Sequence, residues 1–378
     1  KQGLCKIWRS INNSVYGIFV IFVKIFCMSV YNPLKIKEVI RETPKAVSLC
    51  FEVPDDLKDV YKFTAGQYLG LEAVISGKLV RRNYSISSSP SSGDLIVTIK
   101  EIEKGLFSSF ANKKIQNGDY LKVAPPKGRF VYNPSKETPK NIIAFAAGSG
   151  ITPIMSIIKT VLTANKDHKC VLIYGNKSAD QTIFYNALLA LQSNYKERLK
   201  IQLLFSNENA TDALSGRIDK ENIVYTLKNC FDIQQDSTYY ICGPEDMIHT
   251  VKDVLINHRV PENKILFELF TAAESKQTKN IEAYNGDVKA TIVFEDETTT
   301  IRVKANMSLL EAALAEDIEV PYSCQGGVCS SCICRVTNGS AVMKQNNILT
   351  DDELAEGLIL SCQAVPSSSE IELDFDDV

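Results

Sequence analysis

Four cysteines near the C-terminal end have a spacing with chemical meaning: Cys324, Cys329 and Cys332 in the run YSCQGGVCSSC, then Cys362 after 29 intervening residues. Thiolates in a C-x4-C-x2-C…C arrangement are the donor set for a cluster of two irons and two sulfides. Gly326 and Gly327 let the backbone wrap closely and aim N–H groups at sulfur. A zinc ribbon would want paired C-x2-C knuckles, and a complete set of internal disulfides would leave one of the eleven cysteines over. Cys334 stands two residues past Cys332 and, on a strand, points to the opposite face; it is expected to be a buried thiol and not a ligand. Cys5, Cys27, Cys50, Cys170, Cys230 and Cys242 are scattered singly, as small buried hydrophobes are.

Two further groups of residues could hold phosphates and flat rings. Arg82-Asn83-Tyr84-Ser85 combines a guanidinium able to grip phosphate in two bonds, an aromatic face for stacking and a hydroxyl for a ring nitrogen. It is followed by Lys100 and by Gly105-Leu106-Phe107-Ser108, where a helix start near Ser108 would offer free N–H groups to a pyrophosphate. Downstream, Gly148-Ser149-Gly150-Ile151-Thr152-Pro153 joins an apolar strand to a helix and lets the backbone approach a pyrophosphate or nicotinamide. It lacks the third glycine of the dinucleotide fingerprint. Cys242-Gly243-Pro244 again ends a strand and starts a helix, and the two loops are expected to lie near each other.

The elements around these motifs divide the chain. From Leu34 short β-rich runs separated by turns read as an antiparallel barrel, with one helix over Ser108 to Lys114. After Lys140 strands and helices alternate, which indicates a parallel α/β sheet. A polar stretch at residues 273–285 reads as a linker. The last unit opens with a hairpin turning at Glu295 to Glu297, then a helix capped by Ser308 with Glu311 completing a capping box. The expected divisions are 28–138, 139–272, 273–285 and 286–378. Residues 1–27 are set aside as a leader or extension, a targeting segment or an interfacial helix; their apolar run from Val15 to Cys27 is shorter than the roughly 20 residues a span needs, so no stable membrane span is expected.

Composition bounds the alternatives. At 45% hydrophobic and 23% charged residues, with a net charge of −3, the chain is neither disordered nor a nucleic-acid binder. The total hides a division: residues 286–378 hold 17 acids and 5 bases, net −12, and the rest carries +9. His168, His249 and His258 have no metal-ligand spacing and are expected at the surface.

The C-terminal unit resembles plant-type 2Fe-2S ferredoxin domains, and the R-x-Y-S, G-x-G-x-T-P, C-G-P and Glu268-x-Phe270 motifs together resemble the ferredoxin–NADP reductase superfamily. The fusion of the two is similar to the reductase components of bacterial oxygenases, a likeness extended by Tyr174-Gly175-Asn176, Phe205-Ser206, the GRID run Gly216 to Asp219, and Met247 after C-G-P. The resemblance implies a multidomain fold of flavin β-barrel, parallel-sheet nucleotide domain and α+β, β-grasp ferredoxin. It implies FAD at Arg82, Tyr84, Ser85, Ile99, Lys100, Gly105, Phe107 and Ser108. A nicotinamide nucleotide is implied at Gly148, Ser149, Gly150, Thr152, Pro153, Asn176, Lys177, Ser206, Arg217, Cys242, Gly243, Pro244, Met247 and Phe270. Ser85, Cys242, Thr152 and Glu268 would flank hydride transfer. Lys177 and Arg217 favour NADPH over NADH, although Asn207 stands where such relatives often have a base. The acceptor implied is a protein in the cytoplasm, a di-iron oxygenase; another ring or steroid hydroxylase, a hybrid-cluster partner, or a non-catalytic redox sensor would use the same motifs.

Overall fold

Alternating apolar and polar residues make half-buried strands, and the first unit is built from six of them: β1 (Asn32–Thr43), β2 (Ala46–Glu52), β3 (Tyr68–Ile75), β4 (Lys78–Ser85), β5 (Leu95–Lys100) and β6 (Tyr120–Val123). The computed structural model describes residues 31–134, 141–208, 213–230, 237–270, 284–318, 320–322, 325–346 and 348–378, with only the backbone of residues 229 and 230. Residues 1–30, most of the expected linker and Cys324 lie outside them. The six strands pair antiparallel in the order β4-β3-β6-β1-β2-β5, and an Ile86–Val97 bridge joins the two ends into a barrel. Leu34, Leu49, Leu69, Leu71, Val97 and Ile99 fill it with no measurable exposure. Helix α1 (Leu106–Lys113) plugs one side through Phe107 and Ala111. It starts two residues before the expected position because Gly105, in extended conformation, serves as its N-cap.

The second unit is a doubly wound sheet. Strands β7 (Asn141–Ala147), β8 (Lys169–Asn176), β9 (Leu199–Phe205), β10 (Ala213–Ser215), β11 (Ser237–Gly243) and β12 (Ile265–Leu269) are all parallel, in the order β10-β9-β8-β7-β11-β12. Between them run α2 (Ile151–Ala164), α3 (Tyr185–Asn194), α4 (Lys220–Cys230) and α5 (Glu245–Asn257). The winding reverses between β7 and β11, and open α/β sheets bind ligands in the crevice beyond such a switch point. The Gly148–Gly150 turn and the Cys242–Pro244 turn both open there. They approach so closely that a Cβ on Gly150 would stand 2.0 Å from the Cys242 carbonyl oxygen. His168 departs from the expected surface position: it is 7% exposed, with its Nδ1 3.1 Å from the Tyr132 hydroxyl. His249 and His258 are at the surface.

The third unit is a mixed sheet. Strands β13 (Val288–Phe294), β14 (Glu297–Val303), β15 (Ile333–Asn338), β17 (Leu358–Leu360) and β19 (Glu370–Asp374) order as β14-β13-β19-β15-β17, beside a small ribbon of β16 (Ala341–Met343) and β18 (Ala364–Pro366). Helix α6 (Leu309–Ala315) carries the expected Ser308–Glu311 capping box, and a short α7 (Asp351–Ala355) has a second one between Thr350 and Glu353. Cys334 is fully buried in the core of this unit.

The Gly150 contact sets a stability test. Gly150→Ala should lower the unfolding midpoint of the nucleotide unit by an amount equivalent to about 1–3 kcal/mol, the usual cost of forcing atoms into a packed interior. Denaturant unfolding followed by tyrosine fluorescence measures it, and an unchanged midpoint contradicts the close approach.

Candidate functional site

Strand β4 shows how one short segment serves two neighbours, because successive side chains point to opposite faces. Arg82 and Tyr84 share one face. The Tyr84 ring is half-buried, 5.5 Å from the Phe107 ring. Arg82 is exposed and donates to the Arg81 carbonyl at 2.6 Å. Nearby, Lys100 reaches toward Gly148 of the second unit, where a Cβ would lie 3.2 Å from its Nζ. Burial, and after it Lys177 and Lys45, holds the Lys100 ammonium below its ordinary pKa, with no acid among the described residues that act on it. This is a local excess of positive charge between two units. Ser108 accepts from the Ile102 amide at 3.2 Å, which ties the loop before α1. The Ile99 side chain lies inside the barrel.

At the switch point the structure brings Ser85, Glu268 and Cys242 together. Cys242 pairs with Glu268 across β11 and β12, and the Ser85 hydroxyl donates to Glu268 Oε2 at 3.3 Å. Enclosure pushes the Glu268 carboxyl up to about 8, against the opposing hydrogen bond from Ser85. Burial first, and Glu268 second, push the Cys242 thiol well up, so it stays protonated. Thr152 turns back to donate to the Ser149 carbonyl at 3.0 Å, and the Tyr174 hydroxyl donates to the Gly148 carbonyl at 2.9 Å. Pro153 is buried at the start of α2, Met247 packs under Gly243, and Phe270 packs against the core of the sheet.

Farther along the same edge, the ends of β8, β9 and β10 gather Asn176, Lys177, Ser206 and Arg217. The Ser206 and Asn207 amides donate to the carbonyls of Asn176 and Lys177 at 3.0 and 2.9 Å, and the Gly216 amide to that of Phe205 at 2.8 Å. Lys177, Ser206 and Arg217 are exposed, while Asn176 Nδ2 is buried, with its side chain beside the Tyr174 hydroxyl.

The other face of β4 meets the third unit. Asn83 Nδ2 donates to Ser331 Oγ at 3.0 Å, and the Tyr68 hydroxyl, from neighbouring β3, lies 2.8 Å from the Cys329 carbonyl and 2.9 Å from Ser331 Oγ. Arg81 binds the nearly buried Glu72 at 2.7 Å and lies 5.0 Å from the ring centres of both Tyr31 and Tyr322. Lys122, largely exposed, makes a second ion pair with Glu72 at 2.9 Å. Val328 is buried in the apolar cluster of the nucleotide unit with Met247 and Leu269. Arg129 pairs with Glu353. Beneath these contacts the Cys332 and Cys362 thiols are hydrogen-bond partners, with Cys329 within electrostatic reach. Gln363 donates to the Gln325 carbonyl at 2.9 Å and stands 3.8 Å from Cys362 Sγ.

Comparison with known proteins gives three matches in the same order as the three units: an oxidoreductase FAD-binding domain over residues 33–132, an oxidoreductase NAD-binding domain over 145–253 and a 2Fe-2S iron-sulfur cluster binding domain over 292–367. Over 351 residues the chain is 36% identical to a subunit of the 1,2-phenylacetyl-CoA epoxidase of Escherichia coli, covering 92% of this chain and 99% of that protein. The chain belongs to the flavin and iron–sulfur reductase components of oxygenases, which are ferredoxin–NADP reductase-like. The reductase is also 33% identical over 357 residues to the ferredoxin reductase component of 3-ketosteroid-9-alpha-monooxygenase of Mycobacterium tuberculosis, covering 91% and 96% of the two chains. Its fold matches phthalate dioxygenase reductase with a TM-score of 0.59 at 23% identity, covering 91% and 98%.

The residues present fit the groups these domains carry. The buried Lys100, with Lys177 and Lys45 near it, suits a pyrophosphate, and clustered thiols suit iron. Among the described residues no three His, Cys, Asp or Glu side chains are placed to hold a metal ion, which a cluster with two thiolates on each iron does not require. Sequence reasoning missed Tyr68, Arg81, Asn83, Tyr322, Val328 and Ser331. Each is an ordinary residue locally, and only the docking of two distant segments gives it a task.

The raised Glu268 carboxyl carries a pH signature. Between its unfolded value near 4.5 and its folded value of about 8 the native state holds a proton the unfolded chain lacks, so its contribution to stability falls as pH rises through that window. Glu268→Gln should gain stability relative to the parent from pH 5 to pH 9, measured by urea unfolding. Parallel profiles would refute the enclosed, protonated carboxyl.

Proposed function

We propose that the reductase takes hydride from NADPH and passes single electrons through FAD and a 2Fe-2S cluster to the di-iron oxygenase of a phenylacetyl-CoA epoxidase. The observation that carries this reading is 36% identity with the Escherichia coli epoxidase component in an alignment that covers 99% of its length, through all three domains. The 33% identity with the 3-ketosteroid-9-alpha-monooxygenase component keeps a steroid hydroxylase as the second reading.

A flavin supplies what no side chain here can, the division of a hydride's electron pair into single electrons. The other tasks fall to the chain. Tyr84 would cover one side of the flavin ring, while Arg82, Lys100 and the amides at the start of α1 would hold its phosphates. Gly148, Ser149 and Gly150 would bring bare backbone to the nucleotide, with Cys242, Gly243 and Pro244 closing the other side. Ser85 and the protonated Glu268 would hydrogen-bond at the site of transfer, and the neutral Cys242 thiol would pack there without adding charge. Thr152, which donates to the Ser149 carbonyl, would keep the glycine turn shaped and support the nicotinamide. Lys177 and Arg217 would grip the 2′-phosphate that distinguishes NADPH. Cys324, Cys329, Cys332 and Cys362 would ligate the cluster. No helix among the described residues is long and apolar enough to cross a membrane. The free Cys50, Cys170, Cys242 and Cys334 suit a reducing cytoplasm.

Anaerobic titration of the purified protein, followed by absorbance, tests the path: flavin and iron–sulfur bands should bleach with NADPH faster than with NADH, and a spectrum lacking those bands refutes it. Lys177→Ala with Arg217→Ala should raise KM for NADPH by roughly tenfold, as loss of charged hydrogen bonds does, with KM for NADH little changed; equal effects on both nucleotides refute the 2′-phosphate site. Cys362→Ser should abolish cytochrome c reduction while sparing ferricyanide reduction, which flavin alone supports. Reconstitution with an epoxidase oxygenase and with a steroid hydroxylase decides between the two acceptors.

A further inference from the structure

Tyr68 touches both halves of the proposed electron path. In the barrel it pairs directly with Ser85 across β3 and β4, so the two side chains stand on the same face, about 5 Å apart at Cβ. Ser85 in turn bonds Glu268 at the switch point. In the other direction the Tyr68 hydroxyl lies 2.8 Å from the carbonyl of Cys329, a candidate cluster ligand, and 2.9 Å from Ser331 Oγ. The side chain is 5% exposed, and it is wedged against Gly128, where a Cβ would lie 3.0 Å from its ring. Ser331 is held a second time by Asn83 at 3.0 Å. The contact joins segments 261 residues apart, and it lands on the backbone of the ligand loop itself.

We propose that Tyr68 is the positioning residue for transfer between flavin and cluster: its hydroxyl clamps the Cys329 carbonyl and so fixes the ligand loop against the flavin side of the barrel. This rests on the electron path proposed above. In each event one electron leaves the reduced flavin and enters the oxidised cluster; Tyr68 exchanges neither an electron nor a proton. The phenol ring fills its slot with or without the hydroxyl, so the clamp can be removed while the packing is kept. Ser331 and Asn83 belong to the same clamp, and their loss should act in the same direction with smaller effect because the Tyr68–Cys329 bond persists.

The test is Tyr68→Phe, with Ser331→Ala as the second variant. Anaerobic stopped-flow with NADPH separates bleaching of the flavin from reduction of the cluster. Flavin bleaching should stay within twofold of the parent, and cluster reduction should slow by roughly threefold to tenfold, the size set by loss of one net hydrogen bond. Amide hydrogen exchange in residues 325–334 should speed up in Tyr68→Phe with NADPH absent, a readout independent of turnover. Unchanged cluster reduction and unchanged exchange overturn the proposal, and so does an equal slowing of both phases, which marks a general structural role. A parent protein whose cluster is never reduced after its flavin overturns the electron path itself.

Discussion

The antiparallel pairing of β3 with β4 sets Tyr68 opposite Ser85 and Glu72 opposite Arg81, and the three units meet around that pairing. Because strand side chains alternate, Arg82 and Tyr84 face the mouth of the barrel while Arg81, Asn83 and Ser85 face outward toward the other units. A slip of one residue would exchange the two sets. It would turn Tyr84 toward the iron–sulfur unit and the docking residues into the mouth. Barrel closure through Ile86 and Val97 and the filled interior oppose such a slip. The geometry of electron transfer is thus a consequence of strand register.

Charge is handled in two ways around this junction. Glu72 resists ionisation because it is buried, yet Lys122 and Arg81 outweigh that and hold it below its ordinary pKa. Arg81, so neutralised, can lie between the rings of Tyr31 and Tyr322 without a stray charge. Lys100, buried and close to Lys177 and Lys45, is instead held below its ordinary pKa, a concentration of positive charge that favours anionic ligands. One cluster of charge holds protein to protein, and the other would serve a cofactor.

What could be read from the sequence was local. The cysteine spacing, the R-x-Y-S run and the two glycine turns lie within a few residues each, and the barrel, parallel sheet and capped helix followed from periodicity. Cys334 is buried as alternation required. The docking residues could not be read, because Tyr68 and Ser331, 263 positions apart, have no pattern until the fold brings them together. His168 was misplaced for a related reason: a polar residue at a strand entrance looks solvated until a distant Tyr132 supplies its partner.

The contact between Gly150 and the Cys242 carbonyl also bears on how such a protein can be altered. Two loops that touch at backbone level share one volume, so neither can be exchanged for a bulkier version while the other stays. Engineering the nucleotide crevice by transplanting a loop from another reductase would have to carry both turns as a pair, together with the strands that space them. Neutral drift faces the same coupling: the first turn can gain a side chain only in a lineage where the second has already withdrawn.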